Sequence, residues 1–279
     1  MERYMKHYMK QFLVTTLDRT LPIYIELTGY NEWQEEFDRP EGYHCYHWLH
    51  TVSGEGQFEC SGTTVTLGPN QGILLPPHVP HRYVTLSHPW STWYVTFNGN
   101  LAPTIISSLG LATSTVISWE PGSRLSKIHY RTRHLEQRPS EFSGMDSSAF
   151  VYRFLIDLKR FGQVDNQRSY SQHSKRLLPM IQFLENNFHD PGIGLANLSE
   201  FTGLSSQRLN YLFRITTGMS PYQYLIHLRI QKAKEHLILD KHLTIKAIAT
   251  LVGFLDASHF ISTFRKFEAI TPQRFRELN

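Results

Sequence analysis

A degenerate repeat in the last third of the chain constrains the fold more than any other feature. Residues 195–213 and 245–264 each read as a short helix, a turn and a second helix, with the turn marked by Gly203 or Gly253. In both copies a small residue stands four positions before the glycine, where it lets two helices approach closely. The glycine permits the backbone conformation of a tight turn. The repeat therefore predicts two helix-turn-helix motifs.

Capping signals extend this pattern to seven helices over residues 175–279. Ser220, Pro221 and Gln223 form a capping box with proline at the first helical position, and they open a long helix between the two motifs. Thr271 begins the last helix in a similar way. One glycine turn alone fits an ordinary helical hairpin equally well, but two motifs with matching caps and one connecting helix favour a DNA-binding domain.

The positive charge of the chain is concentrated in the same region. The net charge is +4, and residues 175–279 carry 13 Lys and Arg against 8 Asp and Glu, a net of +5. Residues 1–174 carry 15 against 16, a net of −1. A basic module beside a near-neutral one is typical of a protein that attracts DNA phosphates, although mildly basic helical bundles are also common.

The second helix of each motif carries the side chains that we expect to face DNA. In the first motif we expect Leu209, Leu212 and Phe213 to face the core, which leaves the polar residues outward. The predicted DNA-contacting residues are Gln207, Arg208, Asn210, Tyr211 and Arg214 in the first motif, and Ser258, His259 and Ser262 in the second. Gln and Asn can bind an adenine edge through two atoms, and Arg can bind guanine or phosphate.

The first part of the chain has a different pattern, which is typical of an antiparallel sheet. Between residues 33 and 97, short aromatic and β-branched runs alternate with Gly and Pro turns at a spacing of roughly ten residues, which predicts a sandwich or a barrel. From residue 124 the pattern turns helical, and residues 147–162 have a wide apolar face. The predicted class is α+β, with one domain over residues 1–163, a polar linker over 164–174 and the helical domain over 175–279.

The helical region resembles the DNA-binding domain of the AraC/XylS family of transcription regulators. The match is a long, ordered pattern that includes Ser220-Pro221, Arg229, Gly253-Phe254, Phe264-Arg265-Lys266 and Thr271-Pro272. By position, the base-reading residues of the family fall on Gln207, Asn210 and Tyr211, and then on Ala257, Ser258, His259 and Ser262. Ala257 cannot hydrogen-bond through its side chain, so this position departs from the pattern of the family.

The resemblance also implies that the first domain is a cupin-like antiparallel β-barrel that binds a small effector. Its motifs resemble the arabinose-responsive branch of the family, in which the corresponding side chains line a sugar pocket. The effector-binding residues implied in this way are Arg39, His81, Tyr83 and Trp93, and the alignment allows Trp90 or Tyr94 in place of Trp93. Arg, His and Tyr can hydrogen-bond to hydroxyl groups, and an indole face can pack on sugar C–H groups. Each of these side chains could equally fill a small barrel.

The histidines of the first domain raise the alternative of a metalloenzyme of the cupin type. His44 and His47 are three residues apart, so on one strand they would point to opposite faces. His44 and His50 would lie roughly 20 Å apart on such a strand. Because this stretch has no compact pair of histidines with a nearby carboxylate, we expect no catalytic residues, no metal and no cofactor. We expect Cys45 and Cys60 to be reduced thiols.

Together these patterns predict a bacterial, cytoplasmic transcription regulator that binds double-stranded DNA and responds to a small polar effector such as a sugar. We expect a homodimer, because dimeric regulators match repeated half-sites, and RNA polymerase is a candidate partner. No apolar run is long enough to span a membrane, so we expect no membrane partner. By resemblance to the arabinose-responsive branch, the basic start, Met1–Leu17, is an arm that folds over the pocket or touches the DNA-binding domain; a frayed terminus is the alternative. Two alternatives remain open: a regulator with a purely structural barrel and no effector, and the metalloenzyme.

Overall fold

The computed structural model describes residues 7–136, 143–165 and 167–279, and the chain divides into two compact units, residues 1–172 and 173–279. The first unit contains two β-sheets with helices, and the described part of the second unit is helical. The α+β class predicted from the sequence is therefore confirmed. None of the described helices is long and apolar enough to cross a lipid bilayer.

The strands of the first unit pair antiparallel in a six-stranded and a four-stranded sheet. In chain order they are β1 (Tyr8–Gln11), β2 (Tyr24–Asn31), β3 (Phe37–Arg39), β4 (Tyr46–Ser53), β5 (Gly56–Cys60), β6 (Thr63–Leu67), β7 (Gln71–Leu75), β8 (His81–Thr85), β9 (Ser91–Asn98) and β10 (Val116–Ser118). The larger sheet has the order β1-β2-β9-β4-β7-β10, and the smaller one β3-β8-β5-β6. The described helices of this unit are α1 (Ala102–Leu109), α2 (Ile128–Glu136) and α3 (Ser143–Phe161).

The larger sheet has a core on each face, because successive side chains of a strand point to opposite sides. On β4, Trp48 packs with Trp93 and Phe154 in the core that includes α3. Leu49, one residue along, packs with Phe58 in the core that the two sheets share. The antiparallel architecture predicted from the Gly and Pro spacing is present, but β1 and β2 lie before the region in which strands were predicted.

Two segments at the ends of the first unit differ from the sequence prediction. Residues 170–174, predicted within the linker, form the first turn of helix α4 (Tyr170–Asn187), and Gln172 hydrogen-bonds to Glu120 and Gln163. The polar composition of this stretch predicted a linker, because composition alone cannot show which polar side chains form specific hydrogen bonds.

Of the predicted arm, Met1–Lys6 lies outside the described residues, whereas β1 pairs with β2 and Phe12 is buried in the core. This part of the arm is therefore folded.

Seven helices occupy residues 167–279 of the described chain, as the capping signals predicted. They are α4, α5 (Leu195–Thr202), α6 (Ser206–Thr217), α7 (Pro221–Leu239), α8 (Ile245–Leu251), α9 (Ala257–Glu268) and α10 (Pro272–Leu278). The helix N-caps that accept a hydrogen bond from the backbone N–H three residues on are Ser205, Ser220, Thr244, Asp256 and Thr271. Ser220 and Gln223 form the predicted capping box, which satisfies two N–H groups that the helix leaves unpaired.

The glycines of both turns have left-handed backbone conformations, as the repeat predicted. The φ angle is +64° at Gly203 and +86° at Gly253. At Gly203 a Cβ atom would meet nothing within 4 Å, so the backbone conformation alone selects glycine. At Gly253 a Cβ atom would also lie 2.5 Å from the carbonyl oxygen of Phe188 and 2.9 Å from Nε of Arg229. The second turn thus requires glycine for space as well as for conformation.

Helix α7 connects the two motifs because it belongs to the cores of both. Leu225 packs in the core of the first motif, and Ile230 packs in the core of the second. Between them, the buried Arg229 donates from Nε to the carbonyl oxygen of Phe188 at 2.8 Å and from Nη2 to that of Asp190 at 2.7 Å. These carbonyl groups follow α4, so the planar guanidinium fixes α7 to the chain that enters the first motif.

Replacing Arg229 with Met is expected to lower the free energy of unfolding by about 2–4 kcal/mol, because two carbonyl oxygens lose a charged donor. Calorimetry of the full chain measures this effect, since it can resolve separate transitions of the two units. Gln231→Met, at an exposed position of the same helix, is the control and should change stability by less than about 0.5 kcal/mol. An Arg229→Met variant as stable as this control would show that the two hydrogen bonds do not hold the helices together.

Candidate DNA interface and ligand cavity

Helix α6, the second helix of the first motif, presents polar side chains to solvent. Its buried residues are Leu209, Leu212 and Phe213, and its exposed predicted residues are Gln207, Arg208, Tyr211 and Arg214. The Arg208 guanidinium lies 5.2 Å from the ring centroid of Tyr211, a cation–π contact that orients both side chains. The exposed face therefore offers amide and guanidinium groups of the kind that bind base edges and phosphates.

Asn210 differs from the other predicted residues of α6 because it is only partly exposed. Its Nδ2 donates to the carbonyl oxygen of Ser206, one turn earlier, at 3.0 Å. An Asn that binds adenine uses its amide oxygen and only one of the two N–H groups of its amide nitrogen, so the other N–H can keep the hydrogen bond to Ser206. Gln207 is exposed and is the better placed of the two amides.

Helix α9, the second helix of the second motif, presents a smaller polar set. Ser258, His259 and Ser262 are exposed. The Ser262 hydroxyl donates to the carbonyl oxygen of His259 at 3.0 Å, and the His259 ring lies edge-on to Phe254 with centroids 5.4 Å apart. Ala257 packs against the core of the motif, which agrees with its lack of a hydrogen-bonding side chain. Helix α9 therefore offers fewer polar groups to DNA than α6 does.

The first unit contains a cavity of about 380 Å³ that is lined by strands of both sheets. Its lining is formed by His7, Met9, Leu27, Asn31, Trp33, Glu35, Phe37, Arg39, Tyr43, His47, Tyr83 and Tyr94. His7 and Met9 come from the N-terminal segment, so the folded part of the predicted arm borders the cavity. The volume and the aromatic lining with a few polar groups are typical of a small-molecule site.

Arg39, at the end of β3, brings a positive charge to this cavity. Its guanidinium lies 4.5 Å from the ring centroid of Phe37 and 4.3 Å from that of Tyr43. Nη2 donates to the Tyr43 hydroxyl at 2.7 Å, whereas the buried Nε has no hydrogen-bond partner. The two rings therefore hold the guanidinium in place while one of its donors remains available to a ligand.

Two buried histidines lie beside Arg39. His47 lines the cavity, and the ring of His81 lies 5.5 Å from it between centroids. His81 donates from Nδ1 to the carbonyl oxygen of Val79 at 2.8 Å, and neither His81 Nε2 nor His47 Nδ1 has a partner. Burial lowers the pKa of both imidazoles, and the charge of Arg39 lowers it further. Both rings are therefore neutral near pH 7 and can hydrogen-bond to an uncharged polar ligand.

Two tyrosines complete the polar lining on β8 and β9. Burial raises the pKa of Tyr83, and burial raises the pKa of Tyr94 to about 12. Both phenols stay protonated at neutral pH, so each can donate and accept a hydrogen bond. The cavity thus combines the Arg39 guanidinium and the Glu35 carboxylate with several neutral donors and acceptors.

The four effector residues implied by the resemblance have three different positions in the structure. Arg39 and Tyr83 line the cavity, and His81 adjoins it through His47. The placement of Trp93 is corrected: its fully buried side chain packs with Phe154 in the core on the other face of the sheet. Tyr94, the next residue along β9, points to the opposite side and lines the cavity instead.

Other lining residues were not found from the sequence. Asn31 is the last residue of β2, Trp33 follows that strand and Glu35 precedes β3, in a stretch where no motif marks a binding residue. The Oδ1 of Asn31 is buried without a partner, and Trp33 is 62% exposed beside the cavity. For Tyr94 a signal did exist, since adjacent aromatic residues on one strand must face opposite sides.

Two protein-family models match this chain. The model of the AraC-like ligand-binding domain matches residues 22–155, and that of a helix-turn-helix domain matches residues 198–278. The first match includes the strands β2 to β9 that surround the cavity. The second includes both α6 and α9.

Known proteins are similar to the chain over most of its length. The arabinose operon regulatory protein of Salmonella typhimurium is 27% identical over 263 residues, which cover 90% of each chain. The lactose operon transcription activator of Staphylococcus xylosus is 26% identical over 238 residues, which cover 82% of each chain.

Among solved structures, the C-terminal domain of the response regulator yesN from Fusobacterium nucleatum is 36% identical, with a TM-score of 0.34. It covers 37% of this chain and 97% of that domain. Matches to models of both domains, and relatives aligned along most of the sequence, agree with the order of β-rich and helical units in the structure. The chain belongs to the AraC/XylS family of DNA-binding transcription regulators and carries an AraC-like ligand-binding domain.

Proposed function

We propose that this regulator recognises a specific DNA sequence and that a small polar effector, a sugar, controls its engagement of DNA from the cavity of the first unit. One observation carries the effector part: three lining residues, Asn31, Arg39 and His47, each have a buried polar atom without a partner. Buried polar atoms are normally hydrogen-bonded, so these atoms identify places where a ligand can supply the missing partners.

The chemistry of the cavity favours a polyol. Its neutral histidines and tyrosines can donate to and accept from hydroxyl groups, and Arg39 adds a donor with fixed orientation. Trp33 and Phe37 offer aromatic faces on which the C–H surface of a sugar can pack. The names of two relatives, which refer to an arabinose operon and a lactose operon, agree with this choice of ligand class.

Helices α6 and α9 are the proposed DNA-reading elements. On α6, Gln207, Arg208, Tyr211 and Arg214 are exposed and Asn210 is partly so, whereas α9 contributes Ser258, His259 and Ser262. We assign most of the base readout to α6, because α9 has the smaller polar set. With both motifs on one rigid domain, the two helices should meet DNA about one helical turn apart, roughly 10 bp.

The rival functions make different predictions for the same protein. A regulator with a purely structural barrel would leave the buried polar atoms of the cavity unsatisfied, and sugars would not change its thermal stability. A sugar that binds only the folded state raises that stability with its concentration. A metalloenzyme would need metal-bound histidines in the cavity, whereas His47 and His81 lie beside the Arg39 cation, which disfavours a metal ion.

We propose a cytoplasmic homodimer, with RNA polymerase as a further partner at promoters. The exposed apolar residues Met145 and Tyr152 lie seven residues apart, and so on one face of α3, where a second copy can cover them.

The function as a whole is tested by selecting bound duplexes from a random DNA pool at near-physiological salt, where non-specific phosphate attraction is weak. The selection is made with and without sugars. A motif of two blocks about one helical turn apart supports readout by both helices, and one block assigns the second motif to backbone contacts. No enriched sequence under either condition would contradict the proposal.

Gln207→Ala is expected to weaken binding to the selected sequence by about 1–3 kcal/mol and to relax preference at one base pair. Fluorescence anisotropy with the selected duplex and with variants at each position measures both effects. Gln182→Ala, an exposed glutamine on α4, is the matched control and should bind as the unchanged protein does. An equal loss of affinity for random DNA would show that Gln207 contacts the backbone and not a base.

Arg39→Met is expected to weaken sugar binding by about 1.5–3 kcal/mol, because it keeps the apolar stem but removes the charged donors. Calorimetric titration with a panel of pentoses, hexoses and disaccharides, including arabinose and lactose, identifies the sugar and measures the loss. Arg82→Met is the matched control, since Arg82 is exposed on β8 of the same sheet. Unchanged affinity in Arg39→Met would remove this residue from the site.

Tyr152→Lys is expected to shift the homodimer towards monomer, because it places a charge in the proposed apolar contact. Sedimentation equilibrium of the full chain measures the dissociation constant. Leu86→Lys, at another exposed apolar position of the same unit, is the control and should leave the association unchanged. A dimer of equal strength in both variants would place the interface elsewhere.

A further inference from the structure

Three side chains with metal-binding atoms meet on the larger sheet, outside the ligand cavity. They are Glu26, His44 and Cys45, and their ligand atoms all lie within 4.8 Å of one another. The His44 Nε2 and the Glu26 Oε2 are 2.6 Å apart. In the described parts of the chain, no other group of three or more His, Cys, Asp and Glu donors lies this close together.

The backbone on each side of this cluster departs from a regular strand in a way that brings the donors together. Glu26 lies in β2 where the pairing with β9 shifts register between Ile25 and Leu27, and such a bulge re-aims a side chain. His44 and Cys45 form a bend just before β4 begins at Tyr46. On a regular strand two neighbouring residues would point to opposite faces, whereas here both reach the same carboxylate.

Strand β9, which lies between β2 and β4 in the sheet, contributes side chains that contact Glu26 and Cys45. The Asn98 Nδ2 donates to Glu26 Oε1 at 3.3 Å, which leaves Oε2 for the side of His44. The Thr96 side chain of the same strand interacts with the Cys45 thiol. Outer hydrogen bonds of this kind orient the ligands in protein metal sites.

We propose that Glu26, His44 and Cys45 bind a zinc ion at the surface of the ligand-binding domain. A carboxylate, an imidazole and a thiolate are all ligands of zinc, and three protein ligands leave a fourth tetrahedral position for water. The sulfur ligand disfavours magnesium and calcium, which prefer oxygen. Ligand atoms at a tetrahedral zinc lie roughly 3.5 Å apart. To hold an ion, the His44 and Glu26 atoms, now 2.6 Å apart, would separate, and the more distant pairs, at up to 4.8 Å, would approach.

This site is separate from the proposed effector site, and its existence does not depend on a sugar. Leu27 and Tyr43 line the cavity and are the chain neighbours of Glu26 and His44. A zinc ion would therefore hold together two segments that each carry one cavity residue.

The experiment uses the full chain, reduced and freed of metal with a chelator. Zinc is titrated in competition with a chromophoric chelator, and cobalt(II) serves as a spectroscopic probe of the same ligands. We expect one zinc ion per chain and a thiolate-to-cobalt charge-transfer band. Failure to bind one equivalent of zinc, or a cobalt complex without that band, would overturn the proposal.

Single substitutions then assign the ligands. His44→Ala and Cys45→Ser should each weaken zinc binding by more than about tenfold, and Cys45→Ser should abolish the charge-transfer band. The His44 side chain is 67% exposed, so its removal should not disturb folding, and it decides the question if Cys45→Ser fails to fold. His242→Ala, exposed in the second unit, and Cys60→Ser, at the other free cysteine, are the controls. A His44→Ala variant with unchanged zinc affinity would reduce the cluster to a His–Glu hydrogen bond beside a buried thiol.

Discussion

The pleat of the two central strands, β4 and β9, is the constraint on which the first unit depends. Leu49 lies opposite Tyr94, and His50 lies opposite Trp93. Because alternate side chains point to opposite faces, one set borders the cavity between the sheets and the other packs towards α3. A register slip by one residue would bury Tyr94 in the helical core and leave Trp93 in the cavity. The register between β4 and β9 therefore decides which side chains line the cavity.

In the second unit, the buried guanidinium of Arg229 holds the two motifs together. A helix shared between two cores could still rotate about its axis, but hydrogen bonds to the carbonyl groups of Phe188 and Asp190 restrain it. The same guanidinium lies over the ring of Phe254, directly after Gly253, where a larger residue would not fit. One charged group thus connects the chain entering the first motif with the turn of the second. This gives α6 and α9 fixed relative positions, as the proposed joint contact with DNA requires.

The cavity and the proposed DNA-reading helices lie in separate units, so control of DNA binding by an effector is a matter of coupling free energy. A sugar that satisfies the unpaired atoms of Asn31, Arg39 and His47 alters DNA binding only if it stabilises one arrangement of the protein more than another. The N-terminal segment can respond to a bound sugar in this way, because His7 and Met9 border the cavity and the nearby Phe12 is buried in the core. The proposed zinc site would bind Glu26 and His44, which are the chain neighbours of the cavity residues Leu27 and Tyr43.

The repeat, the capping boxes and the turn glycines of the helical unit were determined by the sequence alone, because helix signals lie within a few residues of one another. The exposed face of α6 followed from the same local periodicity. Sequence did not determine which neighbour, Trp93 or Tyr94, faces the cavity, nor that Asn31 and Trp33 border it, because those outcomes depend on pairing between distant strands. The meeting of Glu26 with His44 and Cys45 was decided by tertiary structure for the same reason. A bulge on one strand and a bend before another bring Glu26 together with residues that are 18 and 19 positions further along the chain.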